Sequence, residues 1–171
     1  AIEIFQIGIE KNDSNSMYHL AFLLEKTNPI ESLKYYKLLA EKSDSISSFI
    51  FKDQNISKII KAQENLALKY MKENDTENVI KYVFSLINEG CFDVPLRYAT
   101  FLYKTKNFRQ SLVIFDSLFK YNHPIAAYFI GVMKYKGEGC DVDKVESHKI
   151  MENLANKGID KAVEFLEDFV F

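Results

Sequence analysis

The chain has 171 residues, the size of one domain, and 47% of them are apolar. Its 22 Lys and Arg residues nearly balance 24 Asp and Glu residues, and the resulting net charge of −2 argues against a nucleic acid or an acidic membrane surface as the main partner. No apolar run approaches the roughly 18 residues of a transmembrane helix, and the first residues lack the basic region and cleavage site of a signal peptide. Membrane insertion is therefore not expected.

Amphipathic stretches with the helical period follow one another along the chain. Three prolines and six glycines are few for a protein with many turns, which favours long helices over a sheet. The sequence predicts a leading helix near 2–10, then four hairpins of a first helix (helix A) and a second helix (helix B), and a trailing helix near 160–170. Helices A are predicted near 14–26, 56–73, 93–105 and 123–136, and helices B near 29–42, 76–89, 107–121 and 142–157.

The hairpins are copies of one another. At an offset of 36 residues, Asn122 matches Gly158 and Ala126 matches Ala162. Each helix A also carries a small residue where neighbouring helices must approach closely: Ala21, Ala67, Ala99 and Gly131. The sequence therefore predicts a single repeat domain over 1–171, with a partial unit at 1–12, units at about 13–43, 59–90, 91–122 and 123–158, a terminal helix at 159–171 and an insertion at about 44–58.

The fourth unit contains a longer motif in fixed register. Ala126-Ala127-Tyr128-Phe129-Ile130-Gly131 is followed by Tyr135, Gly137-Glu138-Gly139, Asp143, Ser147, Leu154-Ala155, Gly158 and Ala162. This pattern resembles the Sel-1-like repeat, a relative of the tetratricopeptide repeat (TPR) with a longer Gly-x-Gly turn between its helices. Cys140 and Ser147 depart from the pattern, since the family has Val and Ala there. The resemblance implies an all-α fold, a right-handed α-solenoid of stacked helical hairpins.

The other three units lack the Gly-x-Gly turn and are closer to the tetratricopeptide length of about 34 residues. The insertion begins with a Ser-rich stretch, as an ordinary loop does, but continues with the apolar cluster Phe49-Ile50-Phe51. This cluster either packs over a gap between units, or extends the following helix backward, or contacts a partner.

Motifs for chemistry are absent from the sequence. The Gly-x-Gly at 137–139 follows no predicted strand, so it does not indicate a phosphate-binding loop. The three histidines fall in different units without the spacing of metal ligands, and no nucleophile motif occurs. We therefore expect no catalytic residue, cofactor or metal, and a protein that is not an enzyme.

The two cysteines bear on location. Cys91 lies in a turn between hairpins and Cys140 in a turn within one, at opposite ends of helices about 20 Å long, so a disulfide is out of reach. Unpaired thiols favour a cytoplasmic or otherwise intracellular location. Three Asn-x-Ser/Thr sequons, at Asn12, Asn55 and Asn74, leave a lumenal location open.

By resemblance to tetratricopeptide units, groove-facing positions fall one, four and five residues after the small residue of each helix A. A lysine stands at the fifth position in all four units. It either complements the helix dipole near the C-terminus or forms a basic ladder for a peptide with carboxylates and apolar anchors. The candidate partner-binding residues are Phe22, Lys26, Met71, Lys72, Tyr103, Lys104, Tyr135 and Lys136.

The resulting functional hypothesis is a non-catalytic scaffold or adaptor that binds a partner protein or peptide in the concave groove of the solenoid. The alternative is an accessory structural subunit of a large complex, held by the solenoid ends and the convex face. Both ends are apolar, with Ile2, Ile4 and Ile7 near one and Phe165, Phe169 and Phe171 near the other. Either more chain, a second copy or a partner covers at least one end, or each end folds over itself.

Overall fold

The computed structural model describes residues 2–42 and 54–169, without the side chains of 3 and 54–56. This part of the chain is entirely helical and contains no strand. The Phe49-Ile50-Phe51 cluster, like Val170 and Phe171, lies outside the described residues. The described residues form ten helices: α1 (Ile2–Glu10), α2 (Ser14–Leu24), α3 (Pro29–Glu41), α4 (Gln54–Glu73), α5 (Thr76–Asn88), α6 (Asp93–Lys104), α7 (Phe108–Phe119), α8 (Pro124–Lys136), α9 (Lys144–Asn156) and α10 (Asp160–Glu167).

The prediction of an all-α fold is confirmed, and each predicted helix is present within a few residues of its expected bounds. The chain divides into two compact units, Ala1–Val94 and Pro95–Phe171. In the first, α1 packs on α2, and α4 packs on both α2 and α3. In the second, α8 packs between α7 and α9, and α10 packs on α9. Each unit is thus built from helical hairpins that lie against their neighbours in chain order.

Side-chain caps start most of the helices B. The side chain of Asn28 accepts a hydrogen bond from the Glu31 N–H ahead of α3, and Asp75 and Asp143 cap α5 and α9 in the same way. Asn107 stands at the N-cap position of α7, but its side chain makes no capping hydrogen bond. Its side-chain amide instead donates to Thr105 Oγ1 at 3.1 Å, which points it back toward the preceding helix end.

One turn geometry recurs where the chain passes from α1, α5, α7 and α9 into the following helix. A residue in the left-handed region ends the helix, and the N–H of the next residue donates to the carbonyl five residues before it. Asn and Gly alone occupy these left-handed positions in the described residues, since both tolerate a positive φ. The four residues are Asn12, Gly90, Asn122 and Gly158.

A buried hydroxyl joins the two helices of three hairpins. Ser32, Ser111 and Ser147 on helices B are all almost fully buried. Their hydroxyls donate to the carbonyls of Ala21, Ala99 and Gly131 at 2.7, 2.8 and 2.7 Å. The small residue therefore has a second role besides making room, because it presents its carbonyl to the neighbouring helix.

The hairpin of α4 and α5 uses apolar packing at the same place. Val79 stands where the other hairpins have serine, 12 residues after Ala67, and only 1% of its surface is exposed. The loss of the hydroxyl bond is accompanied by the gain of a buried apolar side chain, which stabilises the contact by the hydrophobic effect.

The Gly-x-Gly turn between α8 and α9 brings two backbones together. Gly137 ends α8 in the left-handed region at φ 73°. Gly139, at φ 82°, lies so close to the start of α7 that a Cβ on it would be 2.8 Å from the Phe108 carbonyl and 3.0 Å from the Arg109 nitrogen. Only a residue without a side chain fits there.

We expect Ser111→Ala to lower the free energy of unfolding by about 1 kcal/mol, because it removes a buried hydrogen bond. The matched control is Ser117→Ala on the same helix, where the hydroxyl bonds the Val113 carbonyl of its own helix and the change should stay within about 0.5 kcal/mol. Urea denaturation of both variants measures the difference. Equal effects would mean that the Ser111 bond does not join the helices.

Gly139→Ala and Gly158→Ala form a second matched pair, since both glycines have φ near 80° but no atom lies within 4 Å of a Cβ on Gly158. The left-handed strain should lower stability by about 1–2 kcal/mol in both. Gly139→Ala should lose a further 1–3 kcal/mol or so through the clash with the α7 backbone. Thermal melts followed by circular dichroism measure this, and identical melting temperatures would refute the close approach.

Candidate partner-binding surface

The four candidate lysines share one structural position. Lys72, Lys104 and Lys136 lie in the last turn of α4, α6 and α8, and Lys26 lies in the turn that follows α2. All four side chains are exposed, and none forms a salt bridge with another described residue. Each unit of the structure thus presents two lysine ammonium groups to solvent at the C-terminal ends of helices A.

Neighbouring lysines on the same helices are paired within the chain. On α4, Lys69 lies 3.5 Å from Glu73, and on α8, Lys134 lies 3.6 Å from Asp143. Lys72 and Lys136 follow them by three and two residues, and neither has such a carboxylate partner among the described residues. The difference separates lysines that are neutralised internally from lysines that are available to an outside group.

A cleft of about 400 Å³ opens in the first unit between the α2–α3 hairpin and α4. Three groove positions line it, Glu25, Leu68 and Lys72, while Phe22, Lys26 and Met71 do not. Phe22 is 56% exposed on α2, and Met71 is half-buried. The remaining lining residues are Pro29, Ser32, Leu33, Tyr36, Asn65, Leu66 and Lys69.

Glu25 is held at the edge of this cleft. The Tyr36 hydroxyl on α3 donates to Glu25 Oε1 at 2.7 Å. Burial raises the pKa of Tyr36, and the bond to the Glu25 carboxylate raises it further. The acidic side chain is therefore part of the hairpin, and Lys72 remains the exposed charge of the cleft without a salt bridge among the described residues.

In the second unit Tyr103 makes internal contacts. Its hydroxyl donates to Glu138 Oε2 in the Gly-x-Gly turn at 2.6 Å, and its ring lies against those of Phe108 and Phe129, with centroids 5.4 and 5.2 Å away. Burial and the Glu138 carboxylate both raise the pKa of Tyr103. Tyr103 of α6 thus contacts both α7 and α8. Of the two candidate residues at the end of α6, Tyr103 and Lys104, only Lys104 is exposed.

Tyr135 is covered in a similar way by α10 and the residues after it. Its ring centroid lies 5.3 Å from that of Phe165 and 5.0 Å from that of Phe169, and Lys144 Nζ lies 5.5 Å from it. Phe169 also packs edge-on against His148 of α9 at 4.9 Å. Phe165 and Phe169 thus pack back on the last hairpin.

Two features of the surface were not anticipated from the sequence. Glu138 lies inside the family motif, yet nothing in that motif indicates that its carboxylate would accept from Tyr103, 35 residues away. The second is a cavity of about 530 Å³ in the second unit, lined mainly by α8 and α9. Its lining combines apolar residues such as Phe119, Pro124 and Ile150 with polar residues such as Lys149, Asn153 and Lys157.

Side chains that could bind a metal are scattered over the described residues. No cluster of three or more His, Cys, Asp or Glu side chains suited to a metal occurs among them. Burial raises the pKa of both Cys91 and Cys140, which keeps these thiols protonated at neutral pH. Among the helices described, none combines the length and the apolar character that crossing a bilayer requires.

Comparisons with known proteins identify solved structures with a similar fold. No protein-family model matches the chain, and no curated protein matches it. Its structure is similar to that of a protective antigen of uropathogenic Escherichia coli strains that displays an SLR fold, with a TM-score of 0.53 and 17% identity over 94% of this chain and 34% of that one. It is also similar to a Sel1 repeat protein from Oxalobacter formigenes, with a TM-score of 0.50 and 19% identity over 78% of this chain and 97% of that one.

The chain therefore has the fold of the Sel1-repeat structures, and it spans about a third of the length of the first of them. This agrees with the family resemblance of the fourth unit.

We expect Tyr103→Phe to lower the free energy of unfolding by about 1 kcal/mol, because it removes the donor to Glu138 and keeps the ring contacts. Tyr128→Phe is the matched control, since the Tyr128 hydroxyl has no hydrogen-bond partner among the described residues. Urea denaturation compares the two variants. An unchanged Tyr103→Phe protein would show that the hydroxyl is free to bind a partner.

Proposed function

We propose that the chain is a non-catalytic protein–protein interaction scaffold, or adaptor, that binds a partner protein or peptide in the concave groove predicted for its helices A. The observation that carries the proposal is an exposed lysine, without a salt bridge to another described residue, that recurs at or just after the end of four helices A. An isolated lysine at a helix end is explained by the helix dipole, worth about 0.3–1 kcal/mol. In this proposal the four lysines together form a basic row along the groove.

The partner chemistry follows from these contacts. A segment with spaced carboxylates complements Lys26, Lys72, Lys104 and Lys136. An apolar side chain of the same segment would bury against Phe22 or enter the cleft beside Leu68. Tyr103 and Tyr135, which were candidates for anchoring the partner, are supports in this proposal, because their rings and the Tyr103 hydroxyl are engaged within the chain.

Two further parts of the proposal rest on the thiols and on the fold. A protein with protonated, unpaired cysteines and without a described metal cluster is suited to binding rather than to chemistry. Free thiols also fit a cytoplasmic or otherwise intracellular location, and we propose this location for the protein. Helical repeats offer a long surface to a protein partner.

An accessory subunit of a large complex is the second candidate function. It is favoured by the apolar side chains that α1 leaves exposed, Ile2, Ile4 and Ile7. In this role the chain would be held by its ends and convex face, and the row of lysines would follow from the helix dipole alone.

A peptide series tests the adaptor role. Fluorescent peptides of about 12 residues with the same Leu and Phe residues but zero, two or four Glu residues are titrated with the chain at about 20 and 150 mM NaCl. Affinity should rise with the number of Glu residues and fall with salt. Changing Lys72, Lys104 and Lys136 together to Ala should weaken the four-Glu peptide by at least about threefold at low salt and flatten the salt dependence.

The control for this experiment removes the same charge elsewhere. Lys34, Lys120 and Lys161 are exposed and lie off the groove positions, so their combined change to Ala should leave the dependence on Glu count intact. Equal losses in the two triple variants would reduce the effect to net charge. Binding that ignores both the Glu count and the lysines would remove the basic row from the function.

A further inference from the structure

The cavity of about 530 Å³ in the second unit lies between two hairpins of that unit. Its lining comes from the end of α7, the turn that follows it, the start of α8 and one side of α9. The residues of α9 stand at spacings of four, three and four, which places them on one side of the helix: Glu146, Ile150, Asn153 and Lys157. The cavity is therefore an elongated space along α9.

This side of α9 faces away from the last residues of the second unit. His148 lies two residues from both Glu146 and Ile150, about 200° around the helix, and its ring contacts that of Phe169. At the other end of the same two hairpins, Gly139 lies against the backbone of Phe108 at the start of α7. The hairpins are thus in close contact where α7 begins, and the cavity opens where α7 ends.

The apolar part of the lining offers a contact that the chain does not use fully. Ile150 and Leu154 are buried in the packing of α9, whereas Phe119, the last residue of α7, is 42% exposed. Ile159, after the turn that ends α9, is half-buried. An apolar side chain from outside would bury against Phe119 without displacing a core residue, which favours binding through the hydrophobic effect.

The polar part of the lining has free hydrogen-bonding groups. The side-chain amides of Asn122 and Asn153 are exposed and form no hydrogen bond with another described residue. An amide side chain offers one acceptor oxygen and two N–H donors, which match the N–H and the carbonyl of a peptide backbone. This pairing favours a peptide over a ligand without amide groups.

The charge of the lining is positive, since two lysines stand against one glutamate. Lys149 Nζ lies 3.8 Å from Glu146, and both side chains are largely exposed to solvent. Lys157 is exposed and has no salt bridge with another described residue. The charge that is left for a ligand is therefore the ammonium group of Lys157, at the end of α9.

We propose that this cavity is a second peptide-binding site, which takes an extended acidic segment of a partner protein. A large apolar side chain of the segment buries against Phe119 and Ile150, and a carboxylate about three residues away pairs with Lys157. Ile150 and Lys157 are roughly 10 Å apart along the helix, which three residues of extended chain span. The site is at the start of α8, whereas Lys136 is at its end, so the proposal does not rest on the groove function.

A designed peptide of about ten residues tests this. It is capped at both ends and consists of Gly and Ser around one Leu, with one Glu three residues to either side. The full 171-residue chain, isotope-labelled, is titrated with it at about 20 mM NaCl and followed by NMR. Amide resonances of α9 and the start of α8 should shift and approach saturation below about 1 mM peptide. Replacing the Leu by Ser should weaken binding by at least about tenfold.

Two variants of the chain have matched controls. Lys157→Glu should weaken the peptide by at least about fivefold, while Lys106→Glu, an exposed lysine of the same unit outside the lining, should not. Phe119→Ala should weaken it by at least about threefold, while Val113→Ala, 55% exposed on the same helix, should bind as the parent does. Circular dichroism checks that the four variants stay helical.

The change of Lys72, Lys104 and Lys136 together to Ala separates this site from the groove. Binding in the cavity survives it, whereas a peptide that is lost in this triple variant and kept by Lys157→Glu binds the groove and overturns the present proposal alone. No shift up to about 1 mM peptide, or equal losses in Lys157→Glu and Lys106→Glu, would overturn it as well. So would saturation of the same resonances by decanoate and not by the peptide, because the cavity would then serve a small amphiphile.

Discussion

The close approach of helix B to the small residue of helix A is the contact on which each hairpin depends. At this point a serine hydroxyl bonds the backbone carbonyl of Ala21, Ala99 or Gly131 at 2.7–2.8 Å. Because the acceptor is a backbone atom in the middle of a helix, the bond fixes both the rotation and the height of helix B along helix A. A large side chain on helix A would separate the two backbones and leave the buried hydroxyl without its acceptor, which is unfavourable by about 1–3 kcal/mol. The same contact determines which positions of helix A face outward, since those positions lie at fixed spacings from the small residue.

The hairpins of the two units have the same interior contact, but the surfaces of the two units differ. In the first unit Glu25 is bonded to Tyr36 at the edge of a cleft. In the second, the aromatic residues at the equivalent surface are drawn into the packing of the last hairpin and of α10. What all four helices A retain is the lysine at their ends. A repeat thus keeps the charge that faces solvent while the side chains around it take over structural roles.

Much of the fold follows from the sequence because its signals are local. The helical period places all the described helices, and Asn122 and Gly158, which match at the repeat offset, both end their helices in the left-handed region, with φ of 57° and 80°. Contacts between residues that are distant in the chain do not follow from such local signals. Ser147 reads in the sequence only as a departure from the Ala of the family, yet its hydroxyl bonds Gly131. The sequence also gives no sign of the hydrogen bond from Tyr103 to Glu138. Spacing assigns a residue to a face of its helix but does not identify which distant side chain contacts it there.

The approach of Gly139 to the backbone of Phe108 also bears on how the protein opens. The turn between α8 and α9 therefore contacts the preceding hairpin twice. Gly139 lies against the start of α7, and Glu138 accepts the hydrogen bond from Tyr103 of α6. Neither hairpin of the second unit can separate without breaking contacts of the other. The two should therefore exchange their amide hydrogens as one cooperative block, with a single free energy of opening, whereas a chain of loosely stacked repeats would fray one hairpin at a time.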